Sequence, residues 1–268
     1  MPEGDTVHKV ARVIGSDLVG QTLIQVSLQG VFADQKLVGR KVEKVEALGK
    51  HLLVEIEGGA TLRVHLGMRG KWHRYRPDEP WKRKSNGAAV VLATSERTLV
   101  CFFASEVEVF ATKRRRWHPQ LSRLGPDLLG AEPDYRDIVV RARQLCTVDR
   151  LLGEVLLDQR VAAGIGNVYK SEVAFMGAGS GFGPSPRGVS PWRPLASLGD
   201  QQLADLYRRA RSLLLVNLGG HRRMTREQGL WVYQREGETC LRCGNLIRSR
   251  HQGLENRATF WCDGCQDG

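Results

Sequence analysis

The sequence predicts an α+β protein with two lobes. Short runs rich in β-branched and aromatic residues follow one another from Thr22 to Phe110, whereas helical spacing of apolar residues dominates beyond Tyr135. Two Cys-x-x-Cys pairs follow near the end of the sequence. With 268 residues the chain can form two modest domains, each with its own core.

A short amphipathic helix is expected close to the start of the chain. Asp5 is a suitable N-cap, and the apolar residues after it recur at helical spacing. These residues are Val7, Val10, Ala11, Ile14 and Leu18. Such a helix is expected to hold the preceding residues in place.

The β-rich half contains six candidate strands separated by Gly, Asn or charged turns. They are TLIQVSL, HLLVEIE, TLRVHLG, AAVVLAT, RTLVCFF and EVEVF. In TLRVHLG, Leu62, Val64 and Leu66 alternate with Arg63 and His65, so the two sets face opposite sides of a sheet. The pattern predicts a sandwich or a barrel with one solvated face.

A domain boundary is expected between Gly125 and Tyr135, where Gly, Pro and acidic residues accumulate. One helical stripe follows at residues 151–156, and a second begins after Asp200 as N-cap. Between them, residues 177–194 are too rich in Gly, Ser and Pro for a regular element. Their composition favours an idle linker over a binding loop.

The composition points to a polyanionic partner. Lys and Arg outnumber Asp and Glu by 40 to 29, which gives a net charge of +11 and a pI near 9.7. Nucleic acid is the leading partner class and an anionic membrane surface the second. No apolar run approaches the roughly 20 residues of a spanning helix, and no secretion signal opens the sequence. We therefore expect a soluble, cytoplasmic protein with no membrane span.

Four cysteines near the end of the chain form two pairs separated by 18 residues. They are Cys240, Cys243, Cys262 and Cys265. A β-hairpin between the pairs would bring four thiolates into the tetrahedral arrangement of a structural Zn²⁺, which leaves no open position for water. A redox pair usually occurs singly near a βαβ unit, which the sequence lacks. The remaining Cys101 and Cys146 are expected to be packed thiols.

Basic residues accompany this hairpin and other segments. Arg257 lies near the predicted hairpin tip or return strand, and a solvated face and a phosphate contact are both open for it. KWHRYRPDEPWKRK and TKRRRWH interleave cations with aromatic rings that can stack on bases, although each ring alone is more often a packing residue. AGIGNVYKSE places two glycines before Asn167, which suits a phosphate at a helix N-terminus or simply a tight turn.

The opening MPEG is either a frayed chain end or a reactive amine beside a carboxylate. If Met1 is removed, Pro2 carries a secondary amine beside the Glu3 carboxylate. A terminal tripeptide alone is more often a frayed end. An α-amine titrates near ~8, far below a lysine, so part of it is unprotonated and nucleophilic at neutral pH.

Together these segments resemble the formamidopyrimidine-DNA glycosylase and endonuclease VIII family of bifunctional DNA repair enzymes, which excise oxidised bases and nick the strand. The matching segments are MPEG, ALGKHLL around Lys50, HLGMRG around Met68, HPQLSRLGPDLL, LLDQRVAAGIGNVYKSE and the four-cysteine finger carrying NRATFWC. They follow one another over nearly the whole chain.

The resemblance implies a particular domain organisation. Residues 1–125 would form a catalytic N-terminal β-sandwich with a leading helix, and residues 126–135 a linker. Residues 136–235 would form a helical DNA-binding domain with a helix-two-turn-helix motif. Residues 236–268 would form the four-cysteine, β-hairpin zinc finger.

The resemblance also implies residue roles. Pro2 would attack the sugar C1′ as nucleophile, Glu3 would act as acid and base beside it, and Lys50 would be a cation near the target sugar or phosphate. Asn167 and Arg257 would grip the phosphates that flank the lesion. The expected activity is that of a DNA glycosylase and AP lyase, cleaving the strand by β,δ-elimination through a Pro2 iminium.

Met68 matches the position from which the family inserts a side chain into the gap left by the flipped base. The formamidopyrimidine branch adds an Arg and a Phe from a second loop, often within a DPRRFG-like stretch, where this chain reads CFFASEVEVF. MPEGDTVHK, ASEVEVF and HPQLSRLGPDLL are more similar to the endonuclease VIII branch. The resemblance therefore favours oxidised pyrimidines over 8-oxoguanine and formamidopyrimidine lesions.

The expected partner is damaged double-stranded DNA. The protein is expected to be a monomer and to lie in the cytoplasm, associated with the nucleoid. Two other classes of function stay open. One is a catalytically silent protein that binds lesions or abasic sites. The other is an RNA-binding zinc-ribbon protein, which would show no preference for damaged duplex.

Overall fold

The computed structural model describes residues 2–29, 34–178, 187–220 and 222–267. The chain divides into two compact units, Met1–Arg123 and Leu124–Gly268. Across the described residues, no helix combines the length and the apolar character that crossing a membrane requires. The finer predicted boundaries at residues 125, 135 and 235 stay predictions.

Unit 1 is a β-sandwich preceded by a helix, as predicted, and not a barrel. Helix α1 spans Gly4–Leu18, and eight strands follow it within the part of the unit that the structure describes. The strands are β1 Gln25–Leu28, β2 Val42–Leu48, β3 His51–Ile56, β4 Ala60–His65, β5 Lys71–Tyr75, β6 Ala88–Ala93, β7 Thr98–Phe102 and β8 Glu106–Ala111. They form two antiparallel four-stranded sheets, in the orders β1-β6-β7-β5 and β2-β3-β4-β8.

One apolar core unites the two sheets with α1. Ile14 and Leu18 of the helix, Leu52 of β3 and Leu92 of β6 all belong to it and are buried. Burying a side chain of this size contributes about 1.5–3 kcal/mol relative to exposing it. The six predicted runs each overlap one of these strands, while β2 and β5 were not predicted.

The predicted N-cap of α1 is wrong. The helix begins at Gly4, so that Glu3 is the N-cap, with extended backbone at φ −130° and ψ −176°. Asp5 lies inside the first turn instead, buried and 3.8 Å from the ammonium of Lys9. An acidic residue is favourable there because the helix N-terminus carries partial positive charge.

Unit 2 combines helices with a β-hairpin. Its helices are α2 Tyr135–Leu145, α3 Leu152–Leu157, α4 Asn167–Met176 and α5 Asp200–Val216. Its strands are β9 Gly188–Val189, β10 Arg248–Gln252, β11 Arg257–Trp261 and β12 Gln266–Asp267. Strands β10 and β11 form the predicted hairpin between the two cysteine pairs. A second core, built mainly from the four helices, extends to Phe260 and Cys262.

Two further expectations for unit 2 need correction. The N-cap of α5 is Gly199, and Asp200 is the first helical residue. Within the Gly- and Pro-rich segment 177–194, Gly188 and Val189 form a short parallel pairing with β12, so the segment does contain a regular element. Residues 179–186 of that segment lie outside the described residues. The expectation that the segment is an idle linker and not a binding loop falls on these residues and stays a prediction.

Candidate active site and DNA-contact residues

Three turns of unit 1 lie at one end of the sandwich, here called the turn end. Lys50 belongs to the β2–β3 turn, which Gly49 closes with a φ of +57°. His51 pairs with His65 across β3 and β4, and His65 pairs with Glu106 at the start of β8. The β4–β5 turn and the β7–β8 connection therefore lie at the same end as Lys50.

Helix α1 brings Pro2 and Glu3 to this end. A Cβ on Gly15 would lie 3.6 Å from the Cβ of Val45, and Val19, just after the helix, forms a parallel bridge with Val42. The order of these two contacts directs the start of the helix toward the Lys50 end of β2. From Gly15 back to Glu3 the helix advances about 18 Å, at 1.5 Å per residue. From Val45 to Lys50 the strand advances about 17 Å, at about 3.3 Å per residue. The two stretches thus end at about the same level.

The Glu3 side chain is fully buried at 0% exposure, while Pro2 is half-buried. The Glu3 carbonyl accepts a hydrogen bond from the Val7 amide at 3.0 Å, which fixes the backbone at the start of α1. Pro2 and Glu3 therefore precede a well-formed first turn, and the terminal tripeptide is not a frayed end.

Lys50 lies close enough to His65 to affect its protonation. Burial lowers the pKa of His65, the Glu106 carboxylate opposes this, and the charges of Lys50 and Arg63 lower the pKa further. The His65 Nδ1 lies 2.9 Å from the Ser105 hydroxyl. The Lys50 ammonium is therefore near the His65 imidazole at the turn end.

Arg63 is a buried exception on the sheet face that was predicted to be solvated. Its side chain lies on the predicted polar side of β4 but is only 3% exposed. Its guanidinium donates to Glu106 at 2.8 Å, to Glu108 at 2.9 Å and to His51 Nδ1 at 3.2 Å. His118 Nε2 lies 3.0 Å from the same Glu108 carboxylate. The chain after β8 covers this face, and sequence alternation alone did not reveal the cover.

This network predicts an acid-sensitive fold. Burial, together with the charges of His65 and Arg63, lowers the pKa of His51 to about 3. The unfolded chain, in which a histidine titrates near about 6.5, takes up the proton first on acidification, so stability falls below that pH. Between pH 7 and 5 we expect His51 alone to remove about 2 kcal/mol from the free energy of unfolding. Urea unfolding at the two pH values measures this loss.

His51→Gln is the informative variant, because glutamine can still accept from Arg63 and does not titrate. We expect it to lose markedly less stability than wild type between pH 7 and 5. The exposed His251→Gln is the matched control and keeps the wild-type acid sensitivity. Equal acid sensitivity of His51→Gln and wild type would contradict this origin.

Met68 is exposed at the turn end. It lies in the β4–β5 turn and is 67% exposed. Gly67 before it has a φ of +60°, and a Cβ there would lie 2.7 Å from the Cβ of Ser105. Phe103, two residues before Ser105, is 45% exposed and has a φ of +55°, which is unusual for a bulky residue. Two exposed apolar side chains therefore lie on neighbouring connections, and the sequence identified only Met68.

Asn167 and Arg257 lie on contacting elements of unit 2. Asn167 is the first residue of α4, and its Nδ2 donates to the Ala258 carbonyl at 2.6 Å. Arg257 opens β11, and its guanidinium pairs with Glu255 at 2.9 Å. The structure therefore brings the two predicted phosphate-contact residues together. The Asn167 amide holds the hairpin against α4, and its contact with a phosphate stays a prediction.

Lys170 makes a second set of hydrogen bonds between α4 and the hairpin. Its buried ammonium lies 2.7 Å from the Thr259 hydroxyl and 3.3 Å from the Ala258 carbonyl. Phe260 N also donates to the Ser171 hydroxyl at 3.3 Å. These contacts align β11 along α4, and the sequence did not point to them.

Glu172 fixes the segment that leads into the finger. Its buried carboxylate accepts from the backbone amides of Trp231, Val232 and Tyr233 at 2.8, 2.9 and 2.8 Å, and from the Thr225 hydroxyl. Charge-assisted bonds of this kind are about twice as strong as neutral ones. A lone acid in the apolar run NVYKSEVAF was the available sequence signal.

The four predicted metal ligands come together. Their sulfur atoms all lie within 4.8 Å of one another, with Cys240 to Cys265 at 3.8 Å and Cys243 to Cys262 at 3.4 Å. Sulfurs 2.3 Å from a tetrahedral zinc are about 3.8 Å apart. The donor set and its spacing fit one tetrahedral metal ion. Cys101 and Cys146 are buried elsewhere as free thiols.

Comparison with known proteins agrees with these features. The model of the formamidopyrimidine-DNA glycosylase N-terminal domain matches residues 1–120. A Streptomyces coelicolor protein named probable endonuclease 8 2 is 39% identical over 278 residues, which cover 100% of this chain and 95% of the relative. The Mycolicibacterium smegmatis DNA-(apurinic or apyrimidinic site) lyase Nei2 is 35% identical, over 99% of both chains.

The fold also matches solved structures along its whole length. A Lactococcus lactis formamidopyrimidine-DNA glycosylase bound to DNA with an abasic site aligns with a TM-score of 0.83 and 23% identity, covering 100% of both chains. At this identity the match supports the fold, whereas the relatives above identify the family. The resemblance seen in the sequence is confirmed, and the chain belongs to the formamidopyrimidine-DNA glycosylase and endonuclease VIII family of base excision repair enzymes.

Proposed function

We propose that this protein removes oxidised pyrimidines from duplex DNA and cleaves the resulting abasic site through a covalent adduct of Pro2. The observation that carries the proposal is the arrangement at the turn end of unit 1. There, the start of α1 with Pro2 and Glu3 reaches the level of the turn with Lys50, and Met68 is exposed on the neighbouring turn.

After removal of Met1, the Pro2 nitrogen attacks C1′ and displaces the damaged base. Glu3 protonates the ring oxygen as the sugar opens, and the secondary amine leaves a cationic iminium with no N–H proton to lose. The iminium acidifies the C2′ hydrogens, so loss of a proton expels the 3′ phosphate. A second elimination expels the 5′ phosphate, and water then frees Pro2. Lys50 supplies a cation for a nearby phosphate throughout.

The target base must leave the helix before Pro2 can reach its sugar, at a cost of a few kcal/mol. An exposed apolar side chain can offset that cost by filling the vacated space. We assign this role to Met68, helped by Phe103 on the neighbouring connection. The 45% exposure of Phe103 and its strained φ of +55° support its assignment.

Unit 2 supplies the proposed phosphate contacts. The N-terminus of α4 at Asn167 and the guanidinium of Arg257 lie on elements joined through Ala258. Four cysteines would hold one structural zinc, which organises the hairpin when bound. The net charge of +11 suits a DNA partner and location at the nucleoid, and we expect a monomer.

The preference for pyrimidines rests on two observations. The β7–β8 connection lacks the Arg and Phe pair of the formamidopyrimidine branch, and the relatives reported above carry endonuclease 8 and Nei2 names. An 8-oxoguanine preference is the second candidate, favoured by the match of residues 1–120 to the formamidopyrimidine-DNA glycosylase N-terminal domain.

Single-turnover cleavage of two duplexes that differ only in the lesion separates these candidates. We expect thymine glycol to be removed at least about tenfold faster than 8-oxoguanine, a difference of about 1.4 kcal/mol in activation free energy. An abasic duplex serves as control for the lyase step. Faster removal of 8-oxoguanine would reverse the substrate assignment and leave the chemistry of Pro2 standing.

A further inference from the structure

The segment after β8 crosses the outer face of the second sheet. It contains a 3₁₀ helix, Thr112–Trp117, that begins beside Gly59 and leads to His118 above Glu108. Four side chains of this helix are exposed and form what we call the basic strip. They are Lys113, Arg114, Arg116 and Trp117.

The backbone of the basic strip is fixed to the sheet beneath it by Arg115 and His118. Arg115, in the middle of the helix, points inward and donates to Glu46 of β2 and, at 3.2 Å, to Glu55 of β3. The His118 ring is buried against Glu108 and Phe110. A ligand of the strip therefore need not order this backbone, which removes a cost that flexible basic segments incur on binding.

The cations of the strip are not neutralised nearby. Among the described residues, Lys113, Arg114 and Arg116 make no ion pair, whereas Glu46 and Glu55 balance the inward Arg115. A surface cavity of about 390 Å³ adjoins the strip. It is lined by Lys113, Arg115 and Arg116 together with Thr112, Ser122 and two leucines, and none of the described residues that line it is acidic.

Trp117 distinguishes the strip from an ordinary charged surface. It is 63% exposed, and the Arg116 guanidinium lies 3.8 Å from its ring centroid. Tyr75 and Trp81, in the other basic and aromatic segment, instead pack with Phe102 in a small cluster. Trp117 contributes little to a core, and its exposure suits contact with a flat or extended ligand.

We propose that the basic strip binds the phosphodiester backbone of duplex DNA outside the lesion, without regard to damage or sequence. This proposal rests on DNA being the partner. A polyanion binds most strongly where cations are not already paired with carboxylates and where the backbone that carries them is already ordered. The strip meets both conditions. The cavity extends from the strip to Leu48, the last residue of β2 before the Lys50 turn, whereas the strip itself begins beside Gly59 at the other end of the sheet. Its effect is on affinity for DNA and not on bond cleavage.

The test compares two triple variants of the full-length protein. Lys113→Gln, Arg114→Gln and Arg116→Gln remove the strip charges, while Arg12→Gln, Lys36→Gln and Lys41→Gln remove three exposed charges elsewhere in unit 1. Fluorescence anisotropy measures affinity for an undamaged duplex over a range of salt concentrations. Single-turnover cleavage at saturating enzyme is measured with the same proteins on lesion duplex.

The strip variant should bind undamaged duplex at least about tenfold more weakly at 0.1 M salt, and its slope of log affinity against log salt should fall by about 2 to 3. The control variant should keep the wild-type slope, and a charge-conserving variant with Lys113→Arg, Arg114→Lys and Arg116→Lys should restore it. Cleavage at saturation should be unchanged. A strip variant with the wild-type slope, or with the same slope as the control variant, would overturn the proposal. Failed cleavage by wild type would instead count against the proposed catalysis.

Discussion

A Glu3→Gln variant loses base excision by about 10²- to 10⁴-fold but still forms a covalent adduct with a preformed abasic site. Glutamine has nearly the same volume as glutamate, so the fully buried position can keep its packing. It cannot donate a proton to the ring oxygen as the sugar opens. An abasic sugar opens without enzyme assistance, and Pro2 can therefore still attack it.

Single-turnover kinetics on lesion duplex and abasic duplex, run side by side, measure the two steps separately. Glu43→Gln, on an exposed position of β2, is the matched control and should keep both rates. Full excision by Glu3→Gln would remove Glu3 from the mechanism. If wild type itself binds lesions without excising them, the protein is a silent lesion-binding member of its family.

A Cys262→Ser variant should lose its metal and most of its affinity for DNA. Four thiolates hold a structural zinc with apparent binding free energies of about 10–16 kcal/mol in finger peptides, so the loss of one ligand strongly weakens the site. The hairpin that Cys262 follows carries Arg257 and contacts Asn167 and Lys170 of α4 through Ala258. If one or two phosphate contacts disappear with it, affinity falls about 10- to 100-fold near 0.1 M salt.

Metal analysis gives the zinc content per chain, and anisotropy gives the affinity for abasic duplex. Cys146→Ser, at a buried thiol far from the cluster in sequence, should keep one zinc and near wild-type affinity. Trapping of Pro2 at saturating DNA should survive in Cys262→Ser, because the nucleophile lies in unit 1. Undiminished affinity at limiting DNA would exclude the hairpin as a DNA contact.

The elements whose apolar residues or cysteines recur at a regular spacing were predictable from the sequence. The α1 stripe, the six alternating or apolar strands and the two cysteine pairs each follow a local pattern that the fold does not override. Strands β2 and β5 were missed because KVEKVEAL and KWHRY are rich in charged residues, which β-propensity disfavours. Pairing with neighbouring strands stabilises them instead.

The parts of the candidate site that depend on tertiary contacts were less accessible. Alternation placed Arg63 correctly on the opposite face from Val64, but its burial there depends on contacts with Glu108 and His118, which are distant in sequence. The hydrogen bonds of Glu172 join it to residues about sixty positions later in the sequence, and no local pattern announces them. The roles of Pro2, Glu3 and Lys50 came from the family resemblance and stay predictions.

Borohydride trapping tests the central claim most directly. The purified protein is incubated with a duplex that contains one thymine glycol, the adduct is reduced, and the modified residue is mapped by peptide mass. We predict an adduct on the Pro2 nitrogen of a chain without Met1, with an abasic duplex giving the same adduct. A stable adduct on Lys50 or another lysine, or no adduct on either duplex, would contradict the account.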